Sequence, residues 1–253
     1  MSDRLAGKTG LVSGASSGLG RSAALAMARE GARMFVAARR ADRLGALVDE
    51  IDAAGGTAEA VEMDVADAAS VTGAFDTIAA ASDRLDLLVN SAGIGKAVPF
   101  LDGTDADFDA HFDVNVKGLW RITQQFAALA ARRGHGGAIV NIASMLGLGV
   151  HPGQTLYCAT KAAVLHMTRA IAVELQSRGI RANCVCPGYF HSEMTADFAA
   201  SDAGQTYIRR TPAKRYADAA ELDGAIVHLL SDEASFTTGA HISVDGAHAV
   251  RLV

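Results

Sequence analysis

Short apolar runs recur along the chain and alternate with stretches in which apolar residues return every three or four positions. The runs predict β-strands and the longer stretches predict amphipathic helices. The predicted strands are Thr9 to Ser13, Arg33 to Ala38, Thr57 to Met63, Leu85 to Asn90, Ala138 to Ile142, Arg181 to Val185 and His241 to Val244. This alternation predicts a doubly wound parallel α/β sheet of about seven strands, with ligands bound at the carboxyl ends of the strands.

Length and composition fit one domain. The chain has 253 residues, of which 50% are hydrophobic and 20% are charged, and it contains four prolines. Such a chain can bury one large core, so we predict a single domain spanning residues 1–253. Gly188 to Pro212 form a long irregular stretch between the sixth strand and the last helix. We predict that residues 188–212 are a lid over a substrate.

Charge and hydropathy exclude some partners. The formal net charge is -5 and the arginines are dispersed, so we expect no nucleic-acid partner. No uncharged apolar run reaches the length of a membrane span, and the N-terminus has no apolar signal region. We therefore expect no membrane association and a cytoplasmic location.

The three cysteines, Cys158, Cys184 and Cys186, suit buried apolar positions. An odd number of cysteines without a second pair of ligands argues against a disulfide framework and against a metal site. We therefore predict no metal.

A glycine-rich turn follows the first predicted strand. Gly14, Gly18 and Gly20 separate that strand from a helical pattern. Glycines in this context permit a tight turn, close approach of the backbone to a pyrophosphate and close packing of helix on strand. The turn predicts a Rossmann-like dinucleotide site with the diphosphate at the helix N-terminus.

The end of the second predicted strand bears on the choice of coenzyme. NAD enzymes usually place Asp or Glu about twenty residues beyond the glycine loop. Arg39 and Arg40 occupy this position here, and their planar donors suit a phosphate. We therefore predict NADP, while NAD remains possible if both arginines are solvated and Asp42 caps the next helix.

Tyr157 and Lys161 are four residues apart in a stretch with helical periodicity, so their side chains point the same way. A free tyrosine keeps its proton to about pH 10. An adjacent cation, with a buried pocket or added hydrogen bonds, lowers the pKa of a phenol toward neutrality. The pair predicts an acid/base tyrosine if the rest of the chain builds such a pocket.

Six features follow one another in a characteristic order. They are the glycine spacing of Gly14, Gly18 and Gly20, then Asn90-Ser91-Ala92-Gly93, Asn115, Ser144, Tyr157-x-x-x-Lys161 and Pro187-Gly188. Together they resemble the short-chain dehydrogenase/reductase family in its single-domain form, from about Leu5 to Gly246. Family members usually carry asparagine where this chain has Ser91, and threonine where it has Ser192.

The resemblance implies an oxidoreductase that transfers a hydride between a nicotinamide coenzyme and a carbonyl or secondary alcohol. Tyr157 is implied to move the proton, and Lys161 to lower its pKa and bind the ribose hydroxyls. Ser144 is implied to donate to the carbonyl oxygen, and Asn115, at a local kink in a helix, to hold a water that relays protons to the lysine. The predicted catalytic residues are Asn115, Ser144, Tyr157 and Lys161.

Coenzyme contacts follow from the resemblance in the same way. Asp64 is implied to contact the adenine ring, with Val65 beside it, although from the residues alone Asp64 could equally cap a helix. The segment from Pro187 to Ser192 is implied to hold the carboxamide. The predicted cofactor-binding residues are Ser13, Gly14, Ser16, Ser17, Gly18, Leu19, Gly20, Arg39, Arg40, Asp64, Val65, Asn90, Ala92, Gly93, Tyr157, Lys161, Pro187, Gly188, Phe190 and Ser192.

The substrate stays open within the family. The chain resembles both β-ketoacyl carrier-protein reductases and sugar-acid or alcohol dehydrogenases. Two other classes of function are disfavoured. The intact Tyr-Lys pair argues against a noncatalytic dinucleotide sensor, and the length of the chain argues against an epimerase or dehydratase of the extended type. By resemblance, we expect a homotetramer or homodimer formed through the helical regions Thr104 to Ala131 and Thr155 to Arg178.

Overall fold

The structure is a computed structural model that describes residues 3–250, so residues 1–2 and 251–253 of the predicted domain lie outside the described residues. Its strands are β1 (Thr9–Ser13), β2 (Arg33–Ala38), β3 (Thr57–Glu62), β4 (Leu87–Asn90), β5 (Gly137–Ile142), β6 (Ile180–Pro187) and β7 (His241–Val244). The bounds of β1, β2 and β7 match those predicted. The sixth strand reaches Pro187 because it pairs with β7 as far as Val244.

These strands form one parallel sheet in the order β3-β2-β1-β4-β5-β6-β7. The order reverses direction between β1 and β4, which is the topological switch point where such folds bind ligands. Every residue of β1 and β4 is buried, as expected for strands covered on both faces, whereas the edge strand β7 alternates between exposed and partly buried positions. The predicted doubly wound α/β fold is confirmed.

Helices cover both faces of the sheet. They are α1 (Gly18–Arg29), α2 (Ala41–Ala53), α3 (Ala68–Ala81), α4 (Asp105–Phe112), α5 (Leu119–Arg133), α6 (Thr155–Leu175), α7 (Ala196–Ala200), α8 (Asp202–Arg209) and α9 (Asp223–Leu230). A π-helical turn, Asp113–Gly118, joins α4 to α5. The prediction of an irregular stretch at Gly188 to Pro212 is wrong in one respect, since α7 and α8 lie within it.

The hydrophobic core has one layer on each side of the sheet. One layer includes Met27 of α1, Leu47 of α2 and Ile226 of α9. The other includes Phe75 of α3 and Phe126 of α5, which pack beneath the opposite face. These layers fix the strands rigidly, so the loops at their carboxyl ends are held at one edge of the sheet.

Within residues 3–250, the helices are too short or too polar to cross a lipid bilayer.

Candidate active site

A cavity of about 310 Å³ lies at the carboxyl edge of the sheet, over the switch point. It is bounded by the glycine loop after β1, the ends of β2 to β6, the first turns of α6 and the segment after β6. The predicted residues that line it are Gly14, Ser16, Ser17, Gly18, Leu19, Gly20, Arg39, Arg40, Asp64, Val65, Ala92, Gly93, Ser144, Tyr157, Lys161, Pro187, Gly188, Phe190 and Ser192.

The glycine loop is packed so tightly that side chains are excluded from two of its positions. Gly14 has a φ of +73°, and a Cβ there would lie 2.6 Å from the backbone nitrogen of Ala92. A Cβ on Gly20 would lie 2.4 Å from the carbonyl oxygen of Gly14. The loop therefore lies directly against the chain after β4, and its backbone forms the floor of the cavity.

The N-terminus of α1 opens onto this cavity. Its N-cap residue, Ser17, makes no side-chain hydrogen bond to the first-turn amides. Those amides carry the positive end of the helix dipole and suit an anionic group. Together with the bare glycine backbone, they fit the diphosphate of a dinucleotide.

Two arginines follow β2 at the same rim. Arg39 is exposed, lines the cavity and has no side-chain partner among residues 3–250. Arg40 donates to the hydroxyls of Ser16, at 2.9 Å, and Ser17, at 2.8 Å. Arg40 is also the N-cap residue of α2, so the alternative in which Asp42 caps that helix is wrong.

Tyr157 and Ser144 meet inside the cavity. Ser144 follows β5, and its hydroxyl accepts from the amide of Leu146 and lies near the phenol of Tyr157. Burial raises the pKa of Tyr157 to about 12, and the Ser144 hydroxyl opposes this only in part. The expected lowering of that pKa by Lys161 is therefore absent in this structure, because the desolvation of the phenol dominates.

Lys161 lies one turn further along α6 and is buried. Its Nζ is 5.5 Å from the centroid of the Tyr157 ring and donates to the carbonyl oxygen of Ile142 at 2.8 Å. Burial lowers the pKa of Lys161 to about 8. The spacing correctly predicts that the two side chains share one face, but the ammonium is directed to a backbone oxygen rather than to the phenol.

We predict that Lys161→Met raises the free energy of unfolding by about 1–2 kcal/mol near neutral pH, as relief of the buried charge outweighs the lost hydrogen bond. The folded protein binds the Lys161 proton more weakly than the unfolded chain does. The wild type therefore regains stability as the pH rises from about 8 toward the ordinary pKa of lysine. Urea unfolding near pH 7 and near pH 10 measures both stabilities, whose difference should shrink at the higher pH. Lys117→Met, at an exposed ion pair, is the control; a variant destabilised equally at both pH values would contradict the argument.

Asn115 lies in the π-helical turn and is 1% exposed. Its amide accepts from the Ile94 nitrogen at 2.8 Å and donates to the Ile94 carbonyl at 2.9 Å and to the Thr160 hydroxyl at 3.1 Å. The predicted local kink is therefore present. Both amide hydrogens are bound to protein atoms, so the side chain ties the loop after β4 to α6 rather than donating to a water.

Two predicted cofactor residues lie behind the cavity rather than in its lining. The Ser13 hydroxyl accepts from the amide of Ser91. The Asn90 amide donates to Thr123 at 3.0 Å and to Asn141 at 2.9 Å. These hydrogen bonds join β1, β4, β5 and α5, so Ser13 and Asn90 hold the strands that frame the site.

Asp64 lines the cavity at the end of the third strand. Its carboxylate accepts from the amide of Ala66, while the N-cap of α3 is Asp67, which accepts from Ala69. The alternative in which Asp64 caps that helix is therefore wrong.

The segment after β6 closes the cavity from above. A Cβ on Gly95 would lie 3.0 Å from the sulfur of Met194 and 3.3 Å from Cε2 of Tyr157, so Met194 and Gly95 border the phenol. Thr195 donates to the Phe190 carbonyl at 2.6 Å and fixes the turn. Lining residues that the cofactor and catalytic predictions omit are Ala38, Met63, Ser91, Ile94, Val114, Ile142, Ala143, Glu193, Met194 and Thr195.

Other aromatic residues of the segment after β6 pack on one another. The Tyr189 ring lies 5.3 Å from that of Tyr207 and 5.9 Å from that of Phe198. His151 packs edge-on against Tyr207, and none of these residues lines the cavity. This aromatic cluster packs outside the cavity and supports the segment after β6.

The three cysteines are buried free thiols. Cys184 donates to the Thr168 hydroxyl, and burial raises the pKa of its thiol to about 11. Burial shields these thiols from reactants, so the three cysteines serve packing.

Comparison with known proteins decides the family. Residues 14–247 match the family model described as enoyl-(acyl carrier protein) reductase, which spans the glycine loop and the Tyr157 helix. The chain belongs to the short-chain dehydrogenase/reductase family. Membership makes the protein an oxidoreductase and confirms the family predicted from its motifs.

Within this family, the chain is 36% identical to the oxidoreductase UcpA of Salmonella typhimurium, over 96% of this chain and 95% of UcpA. It is 35% identical to the 3-oxoacyl-(acyl-carrier-protein) reductase FabG of Thermotoga maritima, over 96% and 98%. A gluconate 5-dehydrogenase from Burkholderia cenocepacia J2315, solved in complex with NADP and tartrate, superposes with a TM-score of 0.94. That structure is 32% identical and covers 99% of this chain and 98% of its own.

Proposed function

We propose that the protein transfers a hydride between NADP(H) and a carbonyl or secondary-alcohol substrate, with Tyr157 as general acid/base. One observation carries the proposal: Tyr157, Ser144 and Lys161 converge on the same cavity as the glycine loop and the open N-terminus of α1. A dinucleotide bound along that loop would bring its nicotinamide end toward these side chains.

A bound nicotinamide coenzyme supplies the hydride for reduction of the carbonyl and accepts it in the reverse direction. Tyr157 gives its proton to the carbonyl oxygen. Burial raises the pKa of Tyr157, so the phenol is protonated near neutral pH and can serve as the proton donor in reduction. Ser144 donates a hydrogen bond where negative charge develops. Lys161, whose Nζ lies 5.5 Å from the centroid of the Tyr157 ring, is proposed to bind the ribose hydroxyls of the coenzyme.

The choice of NADP rests on Arg39 and Arg40. Arg39 lies at the rim with no side-chain partner among the described residues, and its planar donors match a 2'-phosphate. The NADP-bound gluconate 5-dehydrogenase has a closely similar fold, which supports the same coenzyme here. NAD is the alternative coenzyme, and comparing the affinities for NADPH and NADH distinguishes the two.

We predict that the protein binds NADPH more tightly than NADH and that Arg39→Ala narrows this preference by about tenfold, because one bidentate phosphate contact is lost. Fluorescence titration gives both dissociation constants. Arg132→Ala, on the last turn of α5, is the matched control for loss of an exposed arginine. Equal binding of the two coenzymes by the wild type would contradict the assignment of NADP.

The substrate class we propose is a small carbonyl or alcohol compound that fits between Tyr157, Gly95 and Met194. FabG acts on a carrier-bound 3-oxoacyl group, while the Burkholderia enzyme is a gluconate dehydrogenase, so both kinds of substrate belong in a screen. Residues 188–212 are proposed as the lid that selects between them, since Phe190, Ser192 and Met194 line the cavity.

We also propose a homodimer or homotetramer. Trp120 and Phe108, on α5 and α4, are 46% and 47% exposed, and Val173 on α6 is 81% exposed. Exposed apolar groups on these helices support the pairing surfaces expected from the resemblance.

A further inference from the structure

Glu193 connects the lid to the coenzyme rim. It directly follows Ser192, and its carboxylate accepts from Nη1 of Arg40 at 3.0 Å and from Nη1 of Arg43. Arg40 and Arg43 lie at the start of α2, on the side of the cavity where the adenosine end of a dinucleotide would bind. A single lid residue thus reaches across the cavity to two cations on the opposite side.

The guanidinium of Arg40 is shared between two groups of partners. Its Nε and Nη2 donate to Ser16, at 3.1 and 2.9 Å, and Nη2 also reaches Ser17. Its Nη1 is taken by Glu193. These bonds use four of the five N–H donors, so a phosphate that binds Arg40 through two donors must displace the Glu193 carboxylate or a loop hydroxyl.

Glu193 is also a negative charge at this rim. The hydrogen bonds from Arg43 and Arg40 lower the pKa of its carboxyl to about 2, so it is ionised at physiological pH. The cations facing it are Arg40 and Arg43, with Arg39 lining the same cavity. A 2'-phosphate is more negative than a hydroxyl, so the carboxylate penalises NADP(H) more than NAD(H).

We propose that Glu193 is a coenzyme-selectivity residue, which limits the preference for NADP(H) by occupying Arg40 and Arg43 and by placing a carboxylate near the 2'-phosphate. This inference rests on the proposed function, because it assumes that a nicotinamide dinucleotide binds in the cavity. Glu193 acts through the arginines, so it positions them and takes no part in the chemistry.

The test is the ratio of the dissociation constants for NADH and NADPH, measured by fluorescence titration of the full chain. Glu193→Gln keeps the side-chain size and removes the charge, so the ratio should shift toward NADPH by about three- to tenfold at low salt. The shift should shrink at high salt, because the pair is solvent-exposed. A variant that only loosened the lid would change both constants equally and leave the ratio unaltered.

Glu50→Gln is a matched control. Glu50 forms an ion pair with Arg21, and the two side chains are 48% and 39% exposed. The side chains of Glu193 and Arg40 are exposed to a similar degree, at 53% and 39%. Neither Glu50 nor Arg21 lines the cavity. For Glu50→Gln, the ratio of the dissociation constants for NADH and NADPH should equal that of the wild type. Glu193→Ala, measured in parallel, removes the same charge with a shorter side chain and should shift the ratio in the same direction.

The possible outcomes separate the two proposals. A shift toward NADPH in both Glu193 variants, absent in Glu50→Gln, supports the inference whichever coenzyme the wild type prefers. An unchanged ratio, or a shift toward NADH, overturns it while leaving coenzyme binding intact. Failure of the wild type to bind either coenzyme would overturn the proposed function and this inference with it.

Discussion

Tyr157→Phe is expected to retain coenzyme binding and to lose turnover, with kcat falling by about 10²- to 10⁴-fold. The substitution removes only the hydroxyl that Ser144 contacts, while the ring still borders Gly95 and Met194. The cavity should therefore keep its shape, and the proton donor alone is lost. Steady-state kinetics give kcat, and fluorescence titration gives the dissociation constant of NADPH.

Tyr216→Phe is the matched control for this substitution. Tyr216 is buried, with its ring 5.8 Å from that of Tyr189, and its hydroxyl has no hydrogen-bond partner among the described residues. Removal of the Tyr216 hydroxyl should leave kcat within about twofold of the wild-type value, because the surroundings of the reacting atoms stay unchanged. Undiminished turnover in Tyr157→Phe would remove Tyr157 from the mechanism.

Gly20→Ala is expected to lower the free energy of unfolding by about 2–3 kcal/mol through overpacking. The new Cβ would lie 2.4 Å from the Gly14 carbonyl oxygen, so the glycine loop or α1 must shift. The same shift displaces the proposed diphosphate site, and binding of NADPH should weaken by about tenfold or more. Urea unfolding and fluorescence titration measure the two effects.

Gly45→Ala provides the matched substitution in α2, where a Cβ would meet no atom within 4 Å. It should stabilise the protein by about 0.5–1 kcal/mol, since alanine is the better helix former. Its NADPH affinity should equal that of the wild type. If Gly20→Ala were as stable as the wild type, the tight contact between loop and helix would not be a constraint on the fold.

The sequence predicts the sheet well because the strand signals are local. β1 and β2 are buried on both faces, so their apolar runs are continuous and end at glycine or charged residues. The cavity residues around Gly14, Ser144 and Tyr157 are also predictable, since a parallel sheet brings the carboxyl ends of its strands to one edge. Motif and topology therefore identify the site together.

Other features depend on contacts that no local pattern contains. Helices α7 and α8 are short and gain their stability from packing, so residues 188–212 resemble a loop in sequence. The pKa of Tyr157 depends on burial, and the Lys161 ammonium binds Ile142 instead of the phenol. Arg40 and Glu193 are 153 positions apart, so only the fold shows that they pair.

The central claim is that the bound coenzyme is used for turnover at Tyr157. The most direct measurement follows NADPH fluorescence while the purified protein is presented with ketones, keto sugars, keto acids and 3-oxoacyl thioesters. We expect loss of NADPH with at least one of these carbonyl compounds, and no comparable loss with Tyr157→Phe. NADPH binding without oxidation by any compound would contradict the account and would favour a noncatalytic dinucleotide sensor.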